Sequence, residues 1–579
     1  MSSTPSPETY PDARTDAPAE GAVAPPPGAD APEGPLTHRQ IITILIGLMM
    51  GMFLAALDQT IVATAIRTIA DDLKGLEHQA WATTAYLITA TIVTPLYGKL
   101  GDIYGRKKLF ITAISIFIVG SVLCTFATTM GQLAAFRAVQ GLGAGGLFSL
   151  ALAIVGDIVP PRERAKYQGY FLAVFGTSSV LGPVIGGFFA GADTIFGIDG
   201  WRWVFLVNVP IAVAALIVVT KTLHLRHTRL DHRVDWVGAV LLAIALVPLL
   251  LVAEQGREWG WTSTSAITCY VVGVVAAIGF FLQEMRMGPE AILPLKMFRN
   301  KTVGVSSVAS LLIGVAMFGG LASLPLYLQI VKGATPTEAG LQLLPLTLGI
   351  MVGSIFSGQV ISRTGRYRIF PVIGAALLTL SLFAFHYVAY DTPLWQVMVV
   401  MLFFGLGLGF NFQPLTLAVQ NAVPPQQIGV ATSTATFTRQ MGGTIGTAVF
   451  LTVLFSTVPD KITAAFSRFA PTAEFQAALR DPANAAFAQQ LEASQGSSAA
   501  ASGVLSDSSF LTTLDERLAK PFLVGFSESM DLVFLVGAGV MVIGFLVMLM
   551  LPEVELRSGS SYDERAASEE PKTPAPAVG

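Results

Sequence analysis

The chain has 579 residues, of which 53% are hydrophobic and 13% are charged, and its mean hydropathy is +0.63. Soluble domains carry about 25% charged residues, so this composition excludes an ordinary soluble globular protein and indicates a chain largely surrounded by lipid. The net charge of −3 by itself favours no class of partner. The two cysteines, Cys124 and Cys269, lie inside apolar runs, and their spacing is not that of a disulfide framework or a metal site.

The two ends of the chain are polar. Residues 1–38 are rich in Pro, Ala and acidic side chains and lack the apolar core of a signal peptide. We expect this segment, and the polar segment 553–579, to be disordered cytoplasmic tails.

Between the tails, apolar runs alternate with short polar segments. A helix that crosses a bilayer needs about 17–25 residues, and runs of this length predict about fourteen transmembrane helices, at 41–66, 80–97, 108–128, 131–156, 166–190, 203–221, 235–254, 264–284, 303–329, 339–361, 369–389, 395–420, 427–457 and 529–551.

Lys and Arg are concentrated in alternate loops, such as 99–108, 162–166 and 363–368. Cytoplasmic loops carry the excess of these residues in membrane proteins. The pattern predicts a multi-pass protein of the cell (plasma or inner) membrane with both termini in the cytoplasm, in agreement with an even number of spans.

The two halves of the chain share a set of small and basic residues at a constant offset of 260 positions. Gly98, Gly105, Arg106, Gly182 and Gly186 correspond to Gly358, Gly365, Arg366, Gly442 and Gly446. A constant register across several helices indicates a duplication, as in many transporters. We expect an all-α integral membrane protein with two six-helix bundles, 39–222 and 301–552, and an inserted two-helix linker, 223–300.

The segment 458–528 interrupts the second bundle on its outer side. Its Ala-rich, mildly amphipathic sequence has two interpretations, a variable surface loop or a structured flap over the outer mouth.

Two charged residues lie at similar depth in apolar runs, Asp58 in the first predicted helix and Arg137 in the fourth. A charge at the centre of a spanning helix costs about 2.5–3.5 kcal/mol, so each one calls for a role. If both helices face one cavity, the two side chains can pair. The carboxyl could then bind and release a proton, because burial favours its neutral form and a guanidinium its charged form. The alternative is that Asp58 only forms hydrogen bonds near the interface.

Two further features lie inside predicted spans. Arg439 is a cation without an acid in its own helix, and it either binds substrate or bonds helix carbonyls. The fifth predicted helix carries Gly176, Gly182, Pro183, Gly186 and Gly187. Small residues allow close helix approach, which suits a rocking interface, although packing alone is the simpler interpretation.

These motifs resemble those of the major facilitator superfamily and, within it, the fourteen-span drug:proton antiporters of the EmrB/QacA type. The resemblance covers roughly 40–550 and rests on 57–62, 98–108, 137–145, 176–187, 201–205, 208–210 and 324–329. The segment 176–187 is similar to the antiporter motif of exporters. Ala63 and Arg67 depart from the helix 1 signature, and Ser362 replaces the acid in the second basic turn, so the two turns are expected to act asymmetrically.

The resemblance implies that the two bundles rock around a central cavity. It implies proton coupling by Asp58 and Arg137. It also implies a cytoplasmic latch that holds one of two states, formed by Gly98, Asp102, Gly105, Arg106, Asp157 and Arg162. The resemblance also implies a largely apolar substrate cavity, lined by Arg439, Phe53, Phe175, Phe318, Phe410 and Met441. Packing against lipid is the commoner role of such apolar side chains.

We therefore expect a proton-driven exporter of small amphipathic drugs, toxicants or antibiotics, and a dedicated exporter of one metabolite, peptide or lipid is the alternative. The sequence has no metal-ligand cluster, nucleophile elbow or phosphate loop that would favour a membrane enzyme, and no filter-like repeat that would favour a channel. The expected partners are a small-molecule substrate, protons and the lipid bilayer. We expect no nucleic acid, no cofactor other than the proton-motive force, and function as a monomer.

Overall fold

The computed structural model describes residues 37–74, 79–223, 234–493 and 514–557. Both predicted tails lie largely outside these residues. The first half of the chain contains α1 (His38–Asp72), α2 (Gln79–Tyr104), α3 (Arg106–Thr125), α4 (Met130–Ile158), α5 (Pro161–Ala190), α6 (Trp203–Leu206) and α7 (Asn208–Thr222). One departure from a purely helical fold is a two-stranded antiparallel hairpin between α5 and α6, β1 (Thr194–Ile195) with β2 (Ile198–Asp199).

The inserted pair consists of α8 (Trp236–Trp259) and α9 (Thr264–Met287). The second half contains α10 (Lys301–Leu326), α11 (Pro336–Gln342), α12 (Leu344–Thr364), α13 (Ile369–Phe385), α14 (Leu394–Asn421), α15 (Ile428–Phe469), α16 (Ala473–Leu479), α17 (Ala485–Ala493) and α18 (Glu516–Leu549). A helix is therefore present at each of the fourteen predicted spans.

Within the described residues, eleven helical segments are long and apolar enough to cross a membrane. Two more predicted spans correspond to the shorter apolar stretches Val174–Ala190 and Ile369–Phe385. The remaining one is α2, which carries Lys99 and Asp102 in its last turns. The multi-pass helical architecture is thus clear, and the count of fourteen spans stays a prediction.

Side-chain caps in the sequence set several helix starts. Thr37 accepts a hydrogen bond from the backbone N–H of Gln40, whose side chain accepts one from Thr37 in return, and this capping box begins α1. Thr129 and Asn300 cap α4 and α10 in a similar way. Because caps satisfy the orphan N–H groups locally, these starts lie close to their predicted positions.

The two halves repeat one packing scheme. In the first half α1 packs on α5, and α4 packs between α2 and α3. In the second half α10 packs on α15, and α14 packs between α12 and α13. The halves meet along two equivalent seams, α5 with α12 and α15 with α2. This arrangement is what a duplicated chain predicts.

Buried apolar side chains form separate cores. The first half is built around clusters that include Phe110 and Phe117, and the second around a larger cluster that includes Phe404 and Phe450. The inserted pair has its own cluster, in which Leu242 and Leu246 of α8 pack against α2 and α15. The inserted helices therefore cover one of the two seams.

The segment 458–528 is largely helical where it is described. Helix α15 continues to Phe469, twelve residues past its predicted end at 457, and α18 begins at Glu516, ahead of its predicted start at 529. Phe466 of α15 packs edge-to-face on Phe522 of α18, with ring centroids 4.9 Å apart, and Phe475 of α16 packs on Phe466. The described part of this segment thus corresponds to a structured extension of the second half.

Candidate functional site

A cavity of about 220 Å³ lies between the two halves. It is lined by side chains of α1, α2, α4 and α5 on one side and of α10, α12, α14 and α15 on the other, and α8 contributes Leu250. Five phenylalanines give it an apolar wall: Phe148, Phe171, Phe175, Phe318 and Phe412. The polar lining groups are mostly hydroxyls and amides, and Arg439 is the one ionisable side chain among the described lining residues.

The structure separates the six residues predicted for this cavity into two groups. Arg439, Phe175 and Phe318 line it, whereas Phe53, Phe410 and Met441 lie outside its lining.

The three side chains outside the lining have apolar neighbours elsewhere. Phe53 packs in the core of the first half, and Met441 packs against the cluster formed with α8. Phe410 contacts the ring of Phe370, with centroids 5.5 Å apart. These residues lie on helices that line the cavity, but their side chains are on other faces of those helices. The sequence does not distinguish the faces, because every face of a spanning helix is apolar.

Asp58 and Arg137 form an ion pair inside the first half. The Nη1 atom of Arg137 lies 2.5 Å from Oδ2 of Asp58, and both side chains are almost fully buried. The guanidinium also donates to the carbonyl of Ala82 at 3.2 Å and lies over the ring of Tyr86, 4.1 Å from its centroid. The two helices therefore bring these residues into contact, although neither side chain lines the cavity.

Two amides complete the surroundings of the carboxylate. Gln140 and Asn208 each donate a hydrogen bond to Oδ1 of Asp58 at 2.8 Å. Gln140 also accepts from Arg137 at 2.7 Å and donates to Ser121 at 2.8 Å. Both oxygens of the buried Asp58 carboxyl group therefore accept hydrogen bonds, and these contacts fix its orientation inside the first half.

Gln140 and Asn208 have no role in the predictions made from the sequence. The signal for Gln140 was available, because residues three apart on a helix share a face and Gln140 is three residues after Arg137. Asn208 is a buried amide in an apolar helix, but nothing local indicates which acid it meets 150 positions away.

Several side chains join the two halves at one end of the molecule, here called the termini side because α1 begins and α18 ends there. The backbone N–H of Val430 in the first turn of α15 donates to Oδ2 of Asp102 in α2 at 3.0 Å. The N-cap residue of α15, Gln427, supplies no side-chain cap. A carboxylate at a helix N-terminus is favourable because it meets free N–H groups and the positive end of the helix dipole. Asp102 of one half therefore caps a helix of the other.

Arg106 connects this cap to α4. It binds Asp102 at 2.9 Å and Asp157 at 2.7 Å, and it also donates to the carbonyl of Ala153. Arg162, the remaining residue of the predicted latch, has a side chain outside the described residues, so its place in this network stays a prediction. Among the described side chains, Arg106 pairs with Asp157.

Two glycines of the predicted latch have specific geometric roles. A Cβ on Gly98 would overlap Ser433 and the carbonyl of Gly429, so α2 and α15 approach closely only because position 98 lacks a side chain. Gly105 has a φ of 95°, a conformation that favours glycine, and its repeat Gly365 has a φ of 72°. By contrast, Arg366 is exposed where Arg106 is buried.

The glycines of α5 lie at two interfaces. A Cβ on Gly176 would overlap Thr347 of α12 across the seam between the halves, and one on Gly182 would overlap Thr60 of α1. Gly186 also faces α1, at the carbonyl of Ile61, whereas Gly187 has open space around it. Pro183 lies near Gly340 of α11. Helix α5 is thus in close contact with its own half and with the opposite one.

Helix α2 passes all three parts of the site. Near its start Ala82 and Tyr86 contact Arg137, in its middle Thr91 lines the cavity, and near its end Asp102 caps α15. The distance from Ala82 to Asp102 is about 30 Å along a helix. A movement of α2 would therefore change the contacts of the ion pair, the lining of the cavity and the cap of Asp102 on α15.

Comparison with known proteins places this geometry in context. A family model described as Major Facilitator Superfamily matches residues 48–447. An uncharacterized MFS-type transporter of Mycobacterium tuberculosis is 34% identical over 514 residues, which are 89% of this chain and 70% of the relative. Multidrug resistance protein 3 of Bacillus subtilis is 35% identical over 425 residues, covering 73% of this chain and 81% of the relative.

Solved structures share the fold at low sequence identity. The proton:xylose symporter XylE, bound to 6-bromo-6-deoxy-D-glucose, has a TM-score of 0.55 at 14% identity, covering 92% of this chain and all of that chain. The human organic anion transporter MFSD10 has a TM-score of 0.53 at 12% identity, covering 88% of this chain and 99% of that one. At such identities the similarity concerns the fold alone.

Proposed function

This chain belongs to the major facilitator superfamily and is a membrane transporter, not an enzyme; from this premise we propose that it is a proton-driven exporter of small amphipathic drugs, toxicants or antibiotics. We also propose that it belongs to the fourteen-span branch of the drug:proton antiporters. The observation that carries the proposal is the buried Asp58–Arg137 pair next to a largely apolar cavity between two repeated halves.

The cavity supports transport of apolar molecules. Its walls are phenylalanines and aliphatic side chains, and its hydroxyls and amides can bind varied polar groups without fixing one shape. The export direction is supported by relatives named multidrug resistance protein 3 and multidrug transporter protein MdtP. It is also supported by the resemblance of the segment 176–187 in α5 to the antiporter motif of exporters.

We propose the orientation of the protein in the membrane from its basic loops. Lys99, Arg106 and Arg363 lie on the termini side, which we therefore propose to be cytoplasmic in the cell membrane. The cap of Asp102 on α15 then closes the cytoplasmic end, and so does a hydrogen bond of 3.1 Å from Gln420 of α14 to the carbonyl of Leu152 in α4. In this arrangement the cavity is sealed from the cytoplasm.

The proposed transport cycle couples the protonation of Asp58 to the opening and closing of the cytoplasmic end. Protonation of Asp58 from outside neutralises the carboxylate and weakens its hold on Arg137, which lets α2 shift and releases the cap on α15. Cargo enters from the cytoplasm, and loss of the proton to the cytoplasm restores the ion pair and the closed end. The membrane potential adds about 2.3 kcal/mol per charge for each 100 mV.

Transport by the purified full chain in liposomes tests the proposal. Rhodamine 123 and fluorescein serve as cationic and anionic amphipathic probes, and a pH gradient and a membrane potential are imposed. We expect at least one probe to accumulate against its gradient, and accumulation to stop when ionophores collapse both driving forces. Accumulation that continues undiminished after the collapse would contradict proton-driven export.

A further inference from the structure

We infer that the cavity is built for an organic anion: an apolar, preferably aromatic molecule that pairs its carboxylate, sulfonate or phosphate group with Arg439. The inference rests on the proposed function, because it names the class of cargo for the same cavity.

The surroundings of Arg439 carry the inference. The residue is 7% exposed, and its Cζ atom lies 4.1 Å from the centroid of the Phe412 ring. Among the residues that the structure describes, none forms a hydrogen bond or an ion pair with the guanidinium. Burial of an unpaired cation is costly unless a partner arrives.

Arg137 is a second buried arginine in this molecule, and its guanidinium has a full set of partners. It has a carboxylate, an amide oxygen, a backbone carbonyl and an aromatic ring around it. Among the described residues, the one such partner of the Arg439 guanidinium is the aromatic ring of Phe412, and Arg439 differs from Arg137 in lining the cavity. The guanidinium of Arg439 is therefore unneutralised on the side that faces the cavity, and cargo in the cavity could supply the counter-charge.

The charge of the cavity disfavours cationic cargo. No described lining residue is acidic, and Asp58 is fully buried in the first half and already bonded to Arg137. A cationic molecule in this cavity would meet an unscreened guanidinium in a medium of low dielectric constant. The electrostatics thus favour an anion.

The remaining lining fits the rest of such a molecule. Phe175 and Phe318 supply apolar contact, and Phe412 holds the guanidinium by a cation–π interaction that leaves its N–H groups available. Oε1 of Gln413 is buried and has no hydrogen-bond partner among the described residues, so it can accept from a hydroxyl or N–H group of the cargo. A guanidinium binds planar anionic groups through two parallel hydrogen bonds.

Calorimetric titration of the full chain in lipid nanodiscs tests the inference with ligands that share one ring system. The probes are 2-naphthoate, naphthalene-2-sulfonate and 2-naphthyl phosphate as anions, 2-naphthamide as the neutral analogue and 2-naphthylmethylammonium as the cation. We expect the wild type to bind at least one anion about 10- to 100-fold more tightly than the amide, and the cation most weakly.

Three variants separate charge from folding. Arg439→Gln should abolish the preference for the anion, and Arg439→Lys should restore part of it because lysine keeps the charge but not the two-pronged geometry. Arg468→Gln is the matched control, since Arg468 is an exposed arginine of the same helix and its partner among the described residues is Glu528. Equal wild-type binding of anions and amide, no binding of any anion, or an unchanged preference in Arg439→Gln would overturn the inference.

The two proposals fail in different ways. If the anions bind selectively but no pH gradient drives their export, the proposed function fails and the anion site stands. If a gradient drives export of rhodamine 123 and none of the anions binds, the anion site is wrong and the proposed function stands.

Discussion

The Asp58→Asn substitution removes the charge of the proposed coupling carboxyl with almost no change of shape. Asp58 accepts from Arg137 at 2.5 Å on one oxygen and from Gln140 and Asn208 at 2.8 Å on the other. An amide at this position keeps one accepting oxygen and puts an NH₂ group in place of the other. In one orientation of the amide its NH₂ group faces the guanidinium of Arg137, and in the other it faces the NH₂ groups of Gln140 and Asn208. In both orientations Arg137 loses its counter-charge.

The size of the effect follows from these contacts. Removing one partner of a buried ion pair costs about 3–5 kcal/mol, because the other charge is left buried. A hydrogen bond to a charged group contributes about 1.5–3 kcal/mol. Since asparagine keeps one acceptor, we expect a loss of about 3 kcal/mol. A double variant with Arg137→Gln should cost less than the sum of the two single variants, because it removes both charges.

The assay combines stability and transport. Thermal unfolding in detergent measures the loss, and uptake into proteoliposomes under an imposed pH gradient measures coupling. Asp58→Asn should reduce gradient-driven accumulation to the level seen with ionophores, while ligand binding and downhill exchange persist. Asp199→Asn is the control, because Asp199 is a half-buried aspartate that pairs with Arg202 outside the cluster. Uphill transport at the wild-type level in Asp58→Asn would refute the coupling role.

Three further predictions concern the latch and the carboxylate cluster. Gly98→Val should hold α2 away from Ser433 and favour the state open on the termini side, seen as longer spin-label distances between α2 and α15; unchanged distances would argue against the latch. Asp102→Asn keeps an acceptor for the α15 cap but loses its charge, so unfolding should become easier by about 1–2 kcal/mol and the same distances should increase. Asn208→Leu should cost about 1.5–3 kcal/mol in the wild type and much less in an Asp58→Asn background, and equal costs in both would show that Asn208 acts independently of the carboxylate.

A helix lies at each of the fourteen spans that the sequence predicted, because apolar runs are a local signal. The sequence also identified Asp58 and Arg137, because a charge in an apolar run is visible without a structure. The predicted ends of the helices next to the segment 458–528 were wrong, since α15 and α18 extend as helix beyond the apolar stretch and are stabilised there by contacts such as Phe466 with Phe522.

The cavity was predicted less well than the ion pair for a physical reason. In a helix surrounded by lipid and by other helices, apolar side chains face in every direction, so the pattern that reveals the buried face of a soluble helix is absent. Phe175 and Phe318 therefore could not be distinguished in sequence from Phe53 and Phe410, and only the packing of the helices placed the first two at the cavity.

The sequence by itself determined the class of the protein, its duplicated plan and the charged residues that need a role, because composition, repeats and isolated charges are properties of short segments. Tertiary structure alone decided which groups meet: Asp102 with the first turn of α15, 328 positions away, and Asn208 with Asp58, 150 positions away. It also decided that Arg137 has a counter-ion, while Arg439 lines the cavity beside the ring of Phe412 and has no counter-ion among the described residues. These contacts depend on the rotation and crossing of whole helices, which no local sequence pattern encodes.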